Sequence, residues 1–146
     1  MQFEGPLEDR LAIREQIEAY GDAVSQVDAE VWGALWHEDS RWDLPDVPEL
    51  GSMIGKKTIV DNWVAAMKSY VGIIFIATPG MIKVDGATAK TRVYTSEVYN
   101  DAEGRVRRVR GQYDDLMVKD NGCWLIKHRS FRLLHESADG KVFNRS

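Results

Sequence analysis

The feature that most constrains the fold is a pair of strand-like segments between Arg105 and Leu134, joined by Lys-Asp-Asn-Gly at residues 119–122. Both segments are rich in Val, Ile, Leu, Tyr and Trp, and most of these residues favour strands. Asn-Gly is the strongest short-range signal for a β-hairpin, because both residues tolerate the positive φ angles of a two-residue turn. We therefore predict a long hairpin around which the rest of the chain is organised.

The second strand of this hairpin is apolar on both faces. Alternation places Trp124, Ile126 and His128 on one face and Arg129 with Phe131 on the other. A sheet of this kind needs two covers, one helical and the other either more protein or a second subunit. A charged group on a covered face is costly unless it is paired. Arg129 and His128 therefore belong either to structural pairs or to a functional site.

The order of the other segments predicts an α+β domain. Apolar residues spaced by three and four predict a first helix to about Gln26, a short second helix near 31–36 and a third over 58–69. Strands are predicted at 40–44, 73–78, 81–84 and 88–99, with a loop from Pro45 to Gly51. Helices on one face of a curved sheet leave a pocket. The 146 residues predict one domain, with a core at about 7–135 and a loose polar tail after Glu136.

Composition excludes several classes of function. The net charge is −4 with scattered Lys and Arg, so neither nucleic acid nor an anionic membrane is expected as a partner. One cysteine, Cys123, rules out an internal disulfide and a multi-cysteine metal site. The three histidines lack metal-ligand spacing, and no cofactor motif is present, so we expect neither a metal nor a cofactor. Without a signal peptide or a membrane span, the cytoplasm is the expected location.

Asp28 is the first candidate for chemistry. Tyr20, Val24 and Asp28 are spaced by four, so they would share the apolar face of the first helix if that helix continued to Asp28. A carboxylate there could serve as a general base. Alternatively, Asp28 caps the second helix by accepting backbone N–H bonds. A capping role would lower its pKa and make it a poor base.

Arg129 is the second candidate. With a two-residue turn, Asp114 lies opposite Arg129 and Asp115 opposite His128, whereas a three-residue turn places Tyr113 opposite Arg129. Arg129 could therefore form an ion pair with Asp114 or Asp115. Alternatively, its guanidinium stabilises a developing negative charge on a substrate.

A third carboxylate, Glu97, shares a strand face with Val93, Thr95 and Tyr99. An apolar environment there would raise its pKa and suit it to acid–base chemistry. His128 lies among polar strand residues, where either a structural or a functional role is open.

Several short motifs together resemble the SnoaL-like group of the nuclear transport factor two-like superfamily. The resemblance covers roughly residues 7 to 135. It implies a cone-shaped fold in which three helices wrap a curved antiparallel sheet around a deep hydrophobic pocket. The motifs are Ile13-Arg14, Tyr20, Val27-Asp28, Leu35 to Trp42, Gly122 to Ile126 and Arg129.

The resemblance also implies a chemistry. Similar members of this group include scytalone dehydratase, hexachlorocyclohexane dehydrochlorinase and bile-acid dehydratase, which eliminate water or HCl with an Asp-His dyad and no cofactor. By this likeness the Asp falls on Asp28, the strand arginine on Arg129 and a strand carboxylate near Glu97. The dyad histidine has no counterpart, because no histidine occurs between Glu38 and Lys127.

We therefore predict a cofactor-independent lyase or isomerase that acts on a small cyclic or aromatic hydrophobic molecule. Asp28 is the expected base, Arg129 the stabiliser of the oxyanion or leaving group, and Tyr20 the orienting group. A homodimer or homotrimer through the outer sheet face is expected. The alternative is a non-catalytic module that binds a small molecule, since the dyad histidine is missing. The expected substrate-binding residues are Trp42, Glu97, Tyr113, His128 and Phe131.

Overall fold

Three helices and a seven-stranded sheet make up residues 1–139, the part of the chain that the computed structural model describes. The helices are α1 Leu7–Gln26, α2 Ala29–Ala34 and α3 Lys56–Met67. The strands are β1 Phe3–Glu4, β2 Trp36–Leu44, β3 Gly51–Ile54, β4 Val71–Asp85, β5 Thr88–Asn100, β6 Val106–Asp120 and β7 Cys123–Asp139.

The strands form one sheet in the order β1-β4-β5-β6-β7-β2-β3. Long antiparallel ladders join β4, β5, β6 and β7, whereas β1 pairs with β4 and β2 pairs with β7 in parallel. The helices come early in the chain and the antiparallel ladders follow, so the predicted α+β class is confirmed.

Several details differ from the sequence expectations. β4 continues through Pro79-Gly80 as one strand, because the register shifts between Pro79 and Met81 and only β5 pairs with β4 there. A proline at such a bulge on an edge removes no ladder hydrogen bond. The expected loop ends in strand β3, and the short strand β1 was not predicted. The tail is paired as far as Asp139, so it is not loose there; the rest of the predicted tail lies outside the described residues.

The central hairpin is confirmed, with Asn121 at φ 49° and Gly122 at φ 80° between paired Asp120 and Cys123. Its register changes farther along. Met117 pairs with Ile126 but the next residue, Leu116, pairs with His128, so Lys127 is an extra residue in β7. Such a β-bulge reverses the faces of the residues that follow it, up to the next register shift at Leu134.

The bulge explains the buried side of β7. Trp124 and Ile126 are buried, and so is Arg129, although strict alternation would place Arg129 on the opposite face. His128 is exposed for the same reason. The sequence expectation had these two side chains on the wrong faces relative to Trp124.

Helix α1 closes one side of the core. Its buried residues Ile13, Ile17, Tyr20 and Val24 recur at helical spacing, as predicted. The helix approaches β4 closely at Gly21, where a Cβ atom would lie 3.0 Å from the carbonyl oxygen of Phe75. Contact with β4 therefore fixes the position of α1 over the sheet.

Gly111 provides room for an aromatic side chain on the inner sheet face. A Cβ atom at this buried position would overlap the ring of Phe131 and lie 2.9 Å from Thr95 Oγ1. Overpacking of this kind costs about 1–3 kcal/mol.

We expect Gly111→Ala to lower the free energy of unfolding by that amount in urea denaturation. Ser96→Ala, at an exposed neighbouring position, is the control and should change the free energy of unfolding little. An unchanged free energy of unfolding in Gly111→Ala would contradict this account.

Candidate functional site

The helices and the inner face of the sheet enclose a cavity of about 140 Å³. A single water needs roughly 10–15 Å³, so the cavity has room for a small organic molecule. Its walls are mainly apolar, and Glu97 is the one charged side chain among the lining residues within 1–139. The aromatic lining residues are Tyr20, Trp42, Trp63, Tyr70, Phe75, Tyr113 and Phe131.

Glu97 lies on β5 and is half-buried. Burial raises the pKa of its carboxyl to about 7, and the negative charge of Glu136 adds to the shift. No hydrogen bond or ion pair joins the carboxyl to another residue within 1–139. A carboxyl group with this pKa changes its charge near neutral pH, as general acids and bases do.

Two tyrosine hydroxyls meet inside the cavity. The hydroxyl oxygens of Tyr20 and Tyr113 are 3.3 Å apart, and both side chains are buried. Burial raises the pKa of both phenols, although the nearby Arg129 guanidinium opposes the shift. The two hydroxyls therefore stay protonated, and the one that accepts in their mutual hydrogen bond keeps its proton free to donate.

Arg129 lies behind these tyrosines rather than in the cavity wall. Its Nε and Nη2 atoms donate to the two carboxylate oxygens of Asp115, both at 2.8 Å. Its guanidinium carbon lies 3.8 Å from the ring centroid of Tyr113 and 4.5 Å from that of Tyr20. Burial alone would lower the pKa of Arg129, but the Asp115 carboxylate holds the pKa above its usual value. The structure thus shows the ion pair, with Asp115 rather than Asp114 because of the bulge.

The position expected for Asp28 is wrong. Helix α1 ends at Gln26, and Val27 takes a left-handed conformation at φ 52°, so the helical spacing does not extend to Asp28. Asp28 is exposed and caps α2, where Oδ1 accepts a hydrogen bond of 3.0 Å from the Val31 N–H. Asp28 is therefore not among the residues that line the cavity.

His128 also lies outside the cavity, on the outer sheet face. Its Nε2 atom is 2.7 Å from Asp43 Oδ2, and the side chain is exposed. Burial opposes ionisation of Asp43, but hydrogen bonds from Ser52, His128 and Arg41 lower its pKa to about 2. The expected contact of His128 with a substrate in the cavity is therefore wrong, because the bulge turns the side chain outward.

The structure brings five of the predicted site residues to one cavity. They are Tyr20, Trp42, Glu97, Tyr113 and Phe131. The sequence reasoning missed Trp63, Tyr70 and Phe75 as lining residues. The helical spacing of the predicted third helix places Trp63 and Tyr70 on one face, and that signal could have identified them, although α3 ends at Met67 and Tyr70 follows it.

The sequence and fold together define the class of protein. The family model of the SnoaL-like domain matches residues 5–130, most of the chain, so the chain belongs to the SnoaL-like domain family. Its architecture is the cone-shaped fold of the nuclear transport factor two-like superfamily. The resemblance derived from the short motifs is thereby confirmed.

Solved structures show the same fold. A proposed aromatic ring hydroxylase from Novosphingobium aromaticivorans has a TM-score of 0.82 at 23% identity, covering 93% of this chain and 96% of its own. A proposed scytalone dehydratase from the same organism has a TM-score of 0.80 at 21% identity, covering 90% and 87%. A hexachlorocyclohexane dehydrochlorinase, LinA type 2, has a TM-score of 0.84 at 15% identity, covering 95% of each chain. No curated protein sequence matches this chain.

Two further features concern metals and membranes. Within residues 1–139, no three His, Cys, Asp or Glu side chains are grouped so that they could hold a metal ion. Among the helices described, none has the length and apolar character needed to cross a bilayer.

The Arg129–Asp115 pair gives a testable prediction for stability. Asp115→Ala leaves a buried cation without its partner, which costs about 3–5 kcal/mol. Replacing both residues, Arg129→Met with Asp115→Leu, removes both charges and should cost less than Asp115→Ala alone. Chemical denaturation measures the free energy of unfolding of each variant. Arg41→Met, which breaks an exposed pair with Asp43, is the control and should cost little. A double variant that loses at least as much stability as Asp115→Ala would contradict this account.

Proposed function

We propose that this protein is a cofactor-independent lyase or isomerase that acts on a small cyclic or aromatic hydrophobic molecule. Glu97 is the acid–base residue in this proposal and takes the role that the sequence suggested for Asp28. The observation that carries the proposal is a single carboxyl group, with a pKa of about 7, in the wall of a mainly apolar cavity.

Glu97 suits proton transfer because its environment is poorly solvated. Acid–base catalysis works best when the pKa of the group lies near the operating pH, since both protonation states are then accessible. In its ionised form a poorly solvated carboxylate can remove an activated proton from carbon without help from a histidine. Glu97 is therefore the proposed base, and once protonated it is the acid that returns the proton.

The tyrosine pair supplies the other half of the chemistry. Proton removal next to a carbonyl, or loss of a leaving group, places negative charge on a substrate oxygen or halide. Hydrogen-bond donors that already point to this charge lower the barrier. The hydroxyls of Tyr20 and Tyr113 are the proposed donors, and the Arg129 guanidinium behind their rings stabilises the same charge at a distance.

The family comparison supports the reaction type. Two of the similar structures carry the names of elimination enzymes, a dehydratase and a dehydrochlorinase. Elimination needs a base for the proton and stabilisation for the departing group. In this proposal Glu97 is the base and the hydroxyls of Tyr20 and Tyr113 stabilise the departing group, in place of an Asp-His dyad.

The second candidate function is a non-catalytic module that binds a small hydrophobic molecule. The observation that favours it is the absence of histidine from the residues that line the cavity within 1–139, together with the exposed position of Asp28. A dyad of the kind implied by the family resemblance therefore cannot form in this cavity from those residues.

We also propose that the chain forms a homodimer or homotrimer in the cytoplasm through the outer sheet face. Apolar side chains on the outer face of β4, β5 and β6 support this proposal, because they are exposed in the single chain. They are Ile74, Ile76, Tyr94, Val98 and Leu116. The small-molecule partner is then held inside each subunit, and nucleic acid and membrane are not proposed as partners.

Proton transfer can be tested without knowledge of the natural substrate. We expect the wild-type protein to catalyse exchange of the activated C–H protons of 2-tetralone for deuterium in D₂O, followed by NMR. The rate should rise with pH through about 7, since the ionised form of Glu97 is the base. Glu97→Gln should lower the rate about 10²- to 10⁴-fold, because it removes the general base.

The matched control is Asp28→Asn, which also removes one carboxylate and should leave the exchange rate unchanged. A Glu97→Gln variant as active as the wild type would contradict the proposed role. Binding of 2-tetralone without any exchange would favour the second candidate, the binding module.

A further inference from the structure

The cavity carries negative charge beside aromatic rings at one side. Tyr70 lines the cavity there, and its ring packs on that of Tyr99 with the centroids 4.4 Å apart. Burial raises the pKa of the Tyr70 phenol, and the negative charges of Glu97, Glu136 and Glu49 raise it further. Three carboxylates on different segments therefore lie near one aromatic side chain.

The nearby positive charge is already engaged. Arg107 donates from Nε to Asp101 at 3.0 Å and from Nη1 to Glu136 at 3.1 Å. Arg107 thus binds two carboxylates. Within residues 1–139, no Lys, Arg or His side chain forms an ion pair with Glu97. When Glu97 is ionised, this side of the cavity has a negative charge that the described residues leave uncompensated.

A bound cation would remove this imbalance. A positive group next to a poorly solvated carboxylate is attracted more strongly than in water, because the local dielectric constant is lower. The faces of aromatic rings attract cations as well, by about 0.5–2 kcal/mol for each good contact. An anionic ligand, in contrast, would meet the Glu97 carboxylate without a positive side chain among the lining residues within 1–139.

We propose that the cavity binds small aromatic or cyclic amines, with the protonated nitrogen against Glu97 and Tyr70 and the ring on the aromatic wall. The inference rests on the proposed function, since it assigns a substrate class to the same cavity. The two ideas are chemically compatible. A carboxylate has two oxygens, so an N–H bond to one leaves the other to accept a proton.

Binding of the amine also favours the base form of Glu97. A positive charge at this position lowers the pKa of Glu97, since it stabilises the carboxylate. At a pH just below 7 the bound amine should therefore displace a proton from Glu97 into the buffer. The other titratable groups near Glu97 are Glu136, Tyr70, Tyr99 and Tyr113, none of which supplies a cation. The cation beside them, Arg107, is bound to Asp101 and Glu136.

The test compares benzylamine with benzyl alcohol, a neutral molecule of nearly the same shape, by isothermal titration calorimetry. At about pH 8.5, above the pKa of Glu97, we expect wild type to bind benzylamine at least about tenfold more tightly. Glu97→Gln should remove this preference while its affinity for benzyl alcohol stays within about twofold. Glu97→Asp should keep part of the preference, and Glu18→Gln, an exposed site on α1, should keep all of it.

A second readout detects the proton. Titrations at about pH 6 in two buffers of different ionisation enthalpy should show proton release with wild type and none with Glu97→Gln. The proposal is overturned if benzyl alcohol binds wild type as tightly as benzylamine, or if Glu97→Gln retains the preference. Loss of both ligands in Glu97→Gln, with native near-ultraviolet circular dichroism, would also overturn it, because a charge-specific role predicts retained binding of the alcohol.

The outcomes separate this inference from the proposed function. Glu97-dependent exchange of 2-tetralone protons without a preference for benzylamine would contradict the amine proposal and support the acid–base proposal. A Glu97-dependent preference for benzylamine with no proton exchange would support the amine proposal and count against catalysis by Glu97.

Discussion

The buried pair of Arg129 and Asp115 is the interaction on which the rest of the inner sheet face depends. Two hydrogen bonds of 2.8 Å join the guanidinium to the carboxylate, and Thr91 donates a third bond of 3.3 Å to the same carboxylate. A buried charge must have such partners, or its desolvation would outweigh its contacts. The rings of Tyr20 and Tyr113 stack on the guanidinium, so the pair also fixes the two phenols that face the cavity.

Two kinds of polar group lie in or directly behind the cavity wall. Positive charge lies behind the phenols of Tyr20 and Tyr113, whereas the negative charge of Glu97 lies on β5 and is reinforced by Glu136. A ligand in this space has both hydrogen-bond donors and a base within the cavity lining. Both the proposed proton-transfer chemistry and the proposed selection of amines use these groups rather than a catalytic dyad.

The sequence predicts the fold better than it predicts the site. Asn121-Gly122 and the helical spacing of α1 gave the hairpin and the helical cover, because turn geometry and amphipathicity are local properties. The extra residue in β7, Lys127, has no such local signal, and it reversed the faces assigned to Arg129. Likewise, the spacing that placed Asp28 on α1 ended at Val27, where the backbone turns left-handed. Site residues depend on such breaks in periodicity, whereas secondary structure largely does not.

The central claim is that Glu97 titrates near neutral pH inside the cavity. The most direct measurement is a carbon-13 NMR titration of the glutamate side-chain carboxyls, with Glu97→Gln used to assign the Glu97 resonance. We predict that its midpoint lies at about 7, because burial and Glu136 both disfavour the charged form. A Glu97 midpoint at about 4.3, the value of a glutamate in a model peptide, would contradict the account, since the cavity would then hold no group poised for proton transfer.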